Sequence, residues 1–199
     1  MDRPMYHEHS RALQDRFDSR RIADALAQKL LRARFTDEDR AFIARQRLFF
    51  LATADAQGRP DCSHKGGAPG FVRVVADDTL AFPSYDGNGM FKSLGNLAAN
   101  PGVGLLFIDF EQPKRLRVNG VAALLLDDPL LAAYPGAHAI VRVRAEQIFP
   151  NCPRYIPRMQ LVEASADVPA EGCPPPVPAW KKRPEFNSAL PASDPARGT

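Results

Sequence analysis

Three cysteines, Cys62, Cys152 and Cys173, are all that the 199 residues contain. They lack metal-type spacing and cannot all pair within one chain, which excludes a disulfide scaffold and points to a reducing compartment. A Cys152–Cys173 bridge is the one pairing left open. Four scattered histidines, His7, His9, His64 and His138, also lack ligand spacing, so no metal site is expected. No apolar run approaches the roughly 20 residues of a bilayer-crossing helix. The opening Met1-Asp2-Arg3-Pro4-Met5-Tyr6-His7 has no apolar signal core behind it. A cytoplasmic protein with no membrane partner is therefore expected. Net charge is scarce too, at +3, and gives no argument for nucleic acid. Basic residues gather between Arg11 and Arg34, but Asp15, Asp18 and Asp24 interrupt them, as on a solvated amphipathic helix face. Gly-x-Gly-x-x-Gly is missing, which argues against a Rossmann fold.

What is present falls into three parts. Residues 1–46 read as a helical extension: Leu13, Phe17, Ile22, Leu26 and Leu30 recur near helical spacing, and Asp18 or Ser19 is placed to cap a second segment. Thr36-Asp37-Glu38-Asp39 resembles a capping box and opens a further helix that should bury Phe42 and Ile43. Residues 47–165 then read as β structure. Leu48 to Ala54 is a short aromatic and β-branched run, Asp55-Ala56-Gln57-Gly58 is turn chemistry, and Arg59 to Lys65 returns. Phe71 to Val75 and Thr79 to Phe82 flank a second turn. The segment from Met90 to Ala99 should be helical, with Met90, Phe91, Leu94 and Leu97 on one face, and Asn100-Pro101 stopping it. Gly95 inside that helix suggests close approach of a neighbour. Val103 to Asp109, Arg115 to Leu126 and Ala137 to Phe149 supply more strands. Short connections favour an antiparallel barrel over a βαβ sheet. Residues 166–199 form a tail: eight of the 19 prolines lie between Pro169 and Pro195, predicting an extended, partly polyproline-like segment, with Trp180 as a docking point.

Polar groups concentrate among glycines in three places. Ser63-His64-Lys65-Gly66-Gly67 joins a compact cation and a hydroxyl to exposed backbone N–H groups, which suits a phosphate; the plainer reading is a solvent-facing turn. Asn88-Gly89 leads into a helix start carrying Lys92, Ser93 and Asn96, a natural anion seat or else an ordinary helix cap. Alternation puts Arg115, Arg117 and Asn119 on one face of a strand, able to meet an anion or merely solvated. Cys62 and His64 have no partner acid that would make them a nucleophile pair.

Taken in order, these segments resemble the pyridoxamine 5′-phosphate oxidase-like, FMN-binding split-barrel superfamily over residues 48–120. The resemblance is carried by Phe50-Leu51-Ala52-Thr53-Ala54-Asp55 with Gly58-Arg59-Pro60, by Lys65-Gly66, and by Leu80-Ala81-Phe82-Pro83-Ser84-Tyr85. It continues through Leu97-Ala98-Ala99-Asn100-Pro101, Val103-Gly104-Leu105-Leu106-Phe107 and Arg115-Leu116-Arg117-Val118-Asn119-Gly120. The N-terminal helices and Asn151-Cys152-Pro153-Arg154-Tyr155-Ile156 resemble a subgroup of FMN-dependent enzymes. This implies a mainly-β (α+β) antiparallel Greek-key split barrel with N-terminal helices, assembled as a homodimer with FMN at the interface. By position, Ser63, His64, Lys65 and Gly66 match a flavin-holding strand, and Ser84 matches a contact on the next strand. Lys92 and Ser93 match the phosphate-binding pair, and Arg115 the polar group near the ring. The implied activity is that of an FMN-dependent oxidoreductase working on a small-molecule substrate or electron donor, with no catalytic side chain named. A non-catalytic flavin-binding or stress-response protein, or a haem- or deazaflavin-binding relative, are the alternatives. The chain also departs from the vitamin B6 oxidase pattern. Its arginine-led strand is shortened to Asp61–Gly66, Lys92-Ser93 replaces an Arg-Lys pair, and no C-terminal Arg-x-His motif occurs. FMN binding is implied; pyridoxamine phosphate oxidation is not.

Overall fold

Two helices open the described chain, α1 (Glu8–Arg16) and α2 (Arg20–Leu30), followed by α3 (Asp37–Ala44). The structure is a computed structural model and describes residues 4–170, 172 and 175–198, so a Cys152–Cys173 pairing lies outside the described residues. The aspartates that interrupt the basic stretch each take an arginine: Asp15 with Arg20 at 2.5 Å, Asp18 with Arg21 at 2.9 Å and Asp24 with Arg11 at 2.6 Å. Ser19 stands at the N-cap of α2 but makes no side-chain cap bond. The apolar stripe of the two helices stays uncovered, with Leu13, Phe17, Ile22 and Leu26 all exposed. By contrast, α3 is capped and buried as its sequence dictates. Thr36 Oγ1 accepts the Asp39 N–H, the Asp39 carboxylate accepts the Thr36 N–H, and Phe42 and Ile43 enter the core. Asp39 also holds Arg32 at 2.7 Å. Thr36→Ala should lower stability by about 1 kcal/mol, read from the shift of a urea unfolding midpoint.

Seven strands follow: β1 (Leu48–Ala54), β2 (Pro60–Gly66), β3 (Arg73–Val74), β4 (Thr79–Tyr85), β5 (Gly102–Asp109), β6 (Lys114–Leu125) and β7 (Ala137–Asn151), with α4 (Lys92–Ala99) between β4 and β5. They pair antiparallel in the order β2-β1-β5-β6-β7-β4-β3. This is the α+β, mainly-β split barrel, and its sheet does not close: β2 and β3 remain edges. Alternation fixes the inner face. Phe49, Leu51 and Thr53 of β1 are buried, as are Leu105 and Phe107 of β5 and Leu116 and Val118 of β6. Phe49 is the hub, with ring centroids 4.9 Å from Phe82, 5.2 Å from Phe107 and 5.9 Å from Phe71. The expected strand over Phe71 to Val75 shortens to Arg73–Val74, because Gly70, at φ +86°, turns the chain and sends Phe71 into the core. Between β6 and β7 the register shifts at Asn119/Gly120, and there Gly120 lies directly against the β7 backbone.

The chain divides into two compact units, Met1–Val162 and Glu163–Thr199. Residues 179–198 of the second depart from the expectation of an extended, polyproline-like tail. Ala179–Lys182 forms a 3-10 turn and α5 (Pro184–Asn187) follows it, with the rings of Trp180 and Phe186 6.1 Å apart edge to face. Lys181 and Asp194 form a buried ion pair at 2.8 Å. Asn187 donates to the carbonyls of Lys181 and Ala196 and accepts the Gly198 N–H. Pro178 and Pro184 open these two elements instead of prolonging an extended chain.

Candidate functional site

The hairpin β1–β2 is in register Phe49↔Lys65, Leu51↔Ser63 and Thr53↔Asp61. Ser63 and Lys65 therefore share the face of the inward residues of β1, while His64 points the other way and is exposed. Two polar side chains one turn apart on α4 dock that helix onto the hairpin. Asn96 Nδ2 donates to Thr53 Oγ1 at 3.0 Å, and the Ser93 and Ser63 hydroxyls are bonded at 2.9 Å. Ser93, Asn96 and Thr53 are all buried, and the Asn96–Thr53 contact is made away from solvent.

This docking sets the start of α4 at one end of a cleft of 380 Å³, inside the usual size range of a small-molecule site. Ser63 and Lys65 of β2, Ser84 and Tyr85 of β4, Asn88 of the connecting loop, and Lys92 and Ser93 of α4 line it. The N-cap of α4, Phe91, supplies no side-chain hydrogen bond, and the first N–H groups of a helix have no intrahelical partner. Lys92, exposed, adds its charge to that positive end. Lys65 is half-buried and makes no ion pair among the described residues; burial pulls its pKa below the usual lysine value, opposed by the charge of Asp61. Tyr85 is pushed up by burial, opposed by Arg73. A cation held partly away from water with no ion pair among the described residues, beside an uncapped helix end, is chemically suited to receive a phosphate or carboxylate.

Of the residues marked in the sequence, Ser63, Lys65, Ser84, Asn88, Lys92 and Ser93 are brought together here. The others are placed elsewhere. His64 lies on the opposite face of β2, and a Cβ on Gly66 would meet the His64 ring at 3.0 Å. Asn96 spends its amide on Thr53 within the fold. Arg115 and Arg117 stand on the outer face of the sheet, opposite Leu116 and Val118, and do not line this cleft. Gly95 departs from expectation as well: no atom lies within 4 Å of where its Cβ would be. Met90 and Phe91 are not helical, since α4 begins at Lys92, and both are exposed at the cleft.

Four polar lining residues escaped the sequence reading. Asp61, Tyr85 and Asp86 adjoin segments already marked, whereas His138 arrives only through strand pairing. β7 meets β4 with a register shift at Ser84/Tyr85, and His138 Nε2 there stands 3.9 Å from Asp86 Oδ1. No local spacing announces that juxtaposition.

A family profile described as pyridoxamine 5′-phosphate oxidase matches residues 35–167. No curated protein matches the chain. Among solved structures, HupZ of Group A Streptococcus is 22% identical, with 58% of this chain and 93% of that chain covered and a TM-score of 0.47. HutZ of Vibrio cholerae, described as a haem storage protein, is 22% identical over 58% of this chain and 94% of that chain, with a TM-score of 0.43. An FMN-binding protein from Syntrophomonas wolfei subsp. wolfei is 17% identical over 71% of this chain and 96% of that chain, with a TM-score of 0.40.

Proposed function

The chain belongs to the pyridoxamine 5′-phosphate oxidase family, and on that premise we propose that its cleft binds FMN by the phosphate. The observation that carries this reading is Lys65: a half-buried ammonium with no ion pair among the described residues, in the same cleft as the uncapped start of α4 and Lys92. A phosphate ester carries close to two negative charges at neutral pH, which two lysines and a helix end would offset. The Ser63 and Ser93 hydroxyls share one hydrogen bond and keep acceptor and donor capacity for a ligand oxygen. When bound, FMN supplies the hydride or single-electron chemistry that no side chain of this cleft provides. The chain's part is to hold the phosphate, orient the ligand and restrict water.

The proposal extends to a redox enzyme taking electrons from a small-molecule donor, and to a homodimer. Arg115 and Arg117 support the second copy. They face away from the cleft of their own subunit, and Arg117 is exposed there. Among the described residues, no helix is long and apolar enough to cross a membrane. Titration of purified protein with FMN should produce shifted flavin absorbance bands that saturate at one per subunit, on a species that sediments as a dimer. Bleaching of those bands by NADH or NADPH, and recovery with an added acceptor, would support turnover. A Soret band in place of flavin bands would replace this reading with haem binding. No uptake of either would end it.

A further inference from the structure

Phe91 combines two unfavourable features at one position. Its backbone sits in the left-handed region, at φ +48°, which glycine or asparagine enters readily and a bulky side chain does not. The residue is 62% exposed. Neither feature is forced by the helix it precedes, because a glycine or serine would serve as N-cap. The surrounding chain fixes the conformation. The Phe91 carbonyl accepts the Gly95 N–H at 2.7 Å, and Asn88 Oδ1 accepts the Met90 N–H at 3.1 Å. The Met90 sulfur is engaged by Asn88 Nδ2 at 3.3 Å, and Phe91 and Met90 are exposed apolar side chains on that wall. Strained residues that the local structure over-determines gather where a ligand uses them.

The cleft is thus polar and cationic at Lys65 and Lys92 and apolar at Phe91 and Met90. That division matches a molecule with an anionic end and a flat aromatic body. We propose that Phe91 is the stacking residue of the cleft, covering one face of the flavin ring system while the two lysines hold the phosphate. This rests on the FMN reading above. Aromatic faces stack with a gain beyond simple burial, and the ring stays exposed until the ligand arrives.

The test compares full-length wild-type, Phe91→Gly and Phe91→Leu proteins, stripped of flavin. FMN affinity is measured by fluorescence titration, stability by thermal unfolding, and the anion seat by competition with inorganic phosphate. Phe91→Gly should bind FMN about tenfold more weakly or worse, from lost burial and stacking. Its flavin-free unfolding midpoint should not fall, since glycine relieves the left-handed strain. Competition by inorganic phosphate should be unchanged. Phe91→Leu should be intermediate in affinity, with less quenching of the bound flavin. Wild-type affinity in Phe91→Gly would overturn the proposal while leaving FMN binding intact. A parallel loss of phosphate competition would also overturn it, because the residue would then be acting through the seat. Failure of the wild-type protein to take up FMN would overturn both readings.

Discussion

Lys65→Ala combined with Lys92→Ala should weaken FMN binding by about a hundredfold to ten-thousandfold, if each cation contributes a charge-assisted hydrogen bond of about 1.5–3 kcal/mol. The flavin-free variant should nevertheless be at least as stable as wild type. Lys65 is desolvated without an ion pair among the described residues, so its charge opposes folding and is retained for the ligand. The sign with pH follows from the same observation. The folded-state pKa of Lys65 lies below its unfolded value, so the burial penalty is present below the folded pKa and is relieved as pH rises through it. FMN affinity should change in the opposite sense, falling over that same alkaline window as the ammonium is lost. Affinity by fluorescence titration and unfolding midpoints by denaturant, each across pH, check both halves. A variant that lost affinity and stability together would show that the lysines hold the fold and not the ligand.

Gly120→Ala should be the most damaging single substitution in the sheet. Its Cβ would lie 2.1 Å from the Arg144 carbonyl oxygen, 2.9 Å from the Arg144 carbonyl carbon and 3.0 Å from Ala145 Cα. All three are backbone atoms of β7, so no rotamer change can relieve the overlap, and the site lies at the register shift between β6 and β7. Each of those strands pairs with a further strand, β5 and β4 respectively, so displacement would spread through the sheet. A loss of about 4 kcal/mol or more, or failure to fold, is expected. Gly95→Ala is the matched control. It lies exposed in α4 with open space around its Cβ, and should stabilise by about 0.5–1 kcal/mol through helix propensity. Urea unfolding of the two variants would separate these outcomes, and similar midpoints would contradict the geometry.

The contrast between the two glycines marks how far the sequence could be read. Local signals with a local cause were legible. The capping box at Thr36, the strand at Leu48–Ala54, its return through Lys65 and the stop at Asn100-Pro101 all depend on neighbouring residues. The part of the cleft built from Ser63, Lys65, Lys92 and Ser93 was legible for the same reason, since glycine-rich turns and helix starts advertise exposed N–H groups. What depends on distant pairing was not. Gly120 looks like an ordinary strand glycine until β7 lies against it, whereas Gly95 suggested crowding and has none. Asn96 resembled a ligand residue because it follows a helix start, yet its partner is Thr53 on another element. His138 reaches the cleft only through the irregular β4–β7 register. Phe91 was assigned to an apolar helix face, and its left-handed backbone, which removes it from that face, has no signature in the sequence.

The central claim is that this cleft holds FMN. Mass spectrometry of the small molecule released from natively purified protein tests it most directly. The account predicts the mass of FMN, up to one per chain, with the same stoichiometry restored when stripped protein is given FMN. Release of haem, or a protein that carries no flavin and takes none up, would contradict it.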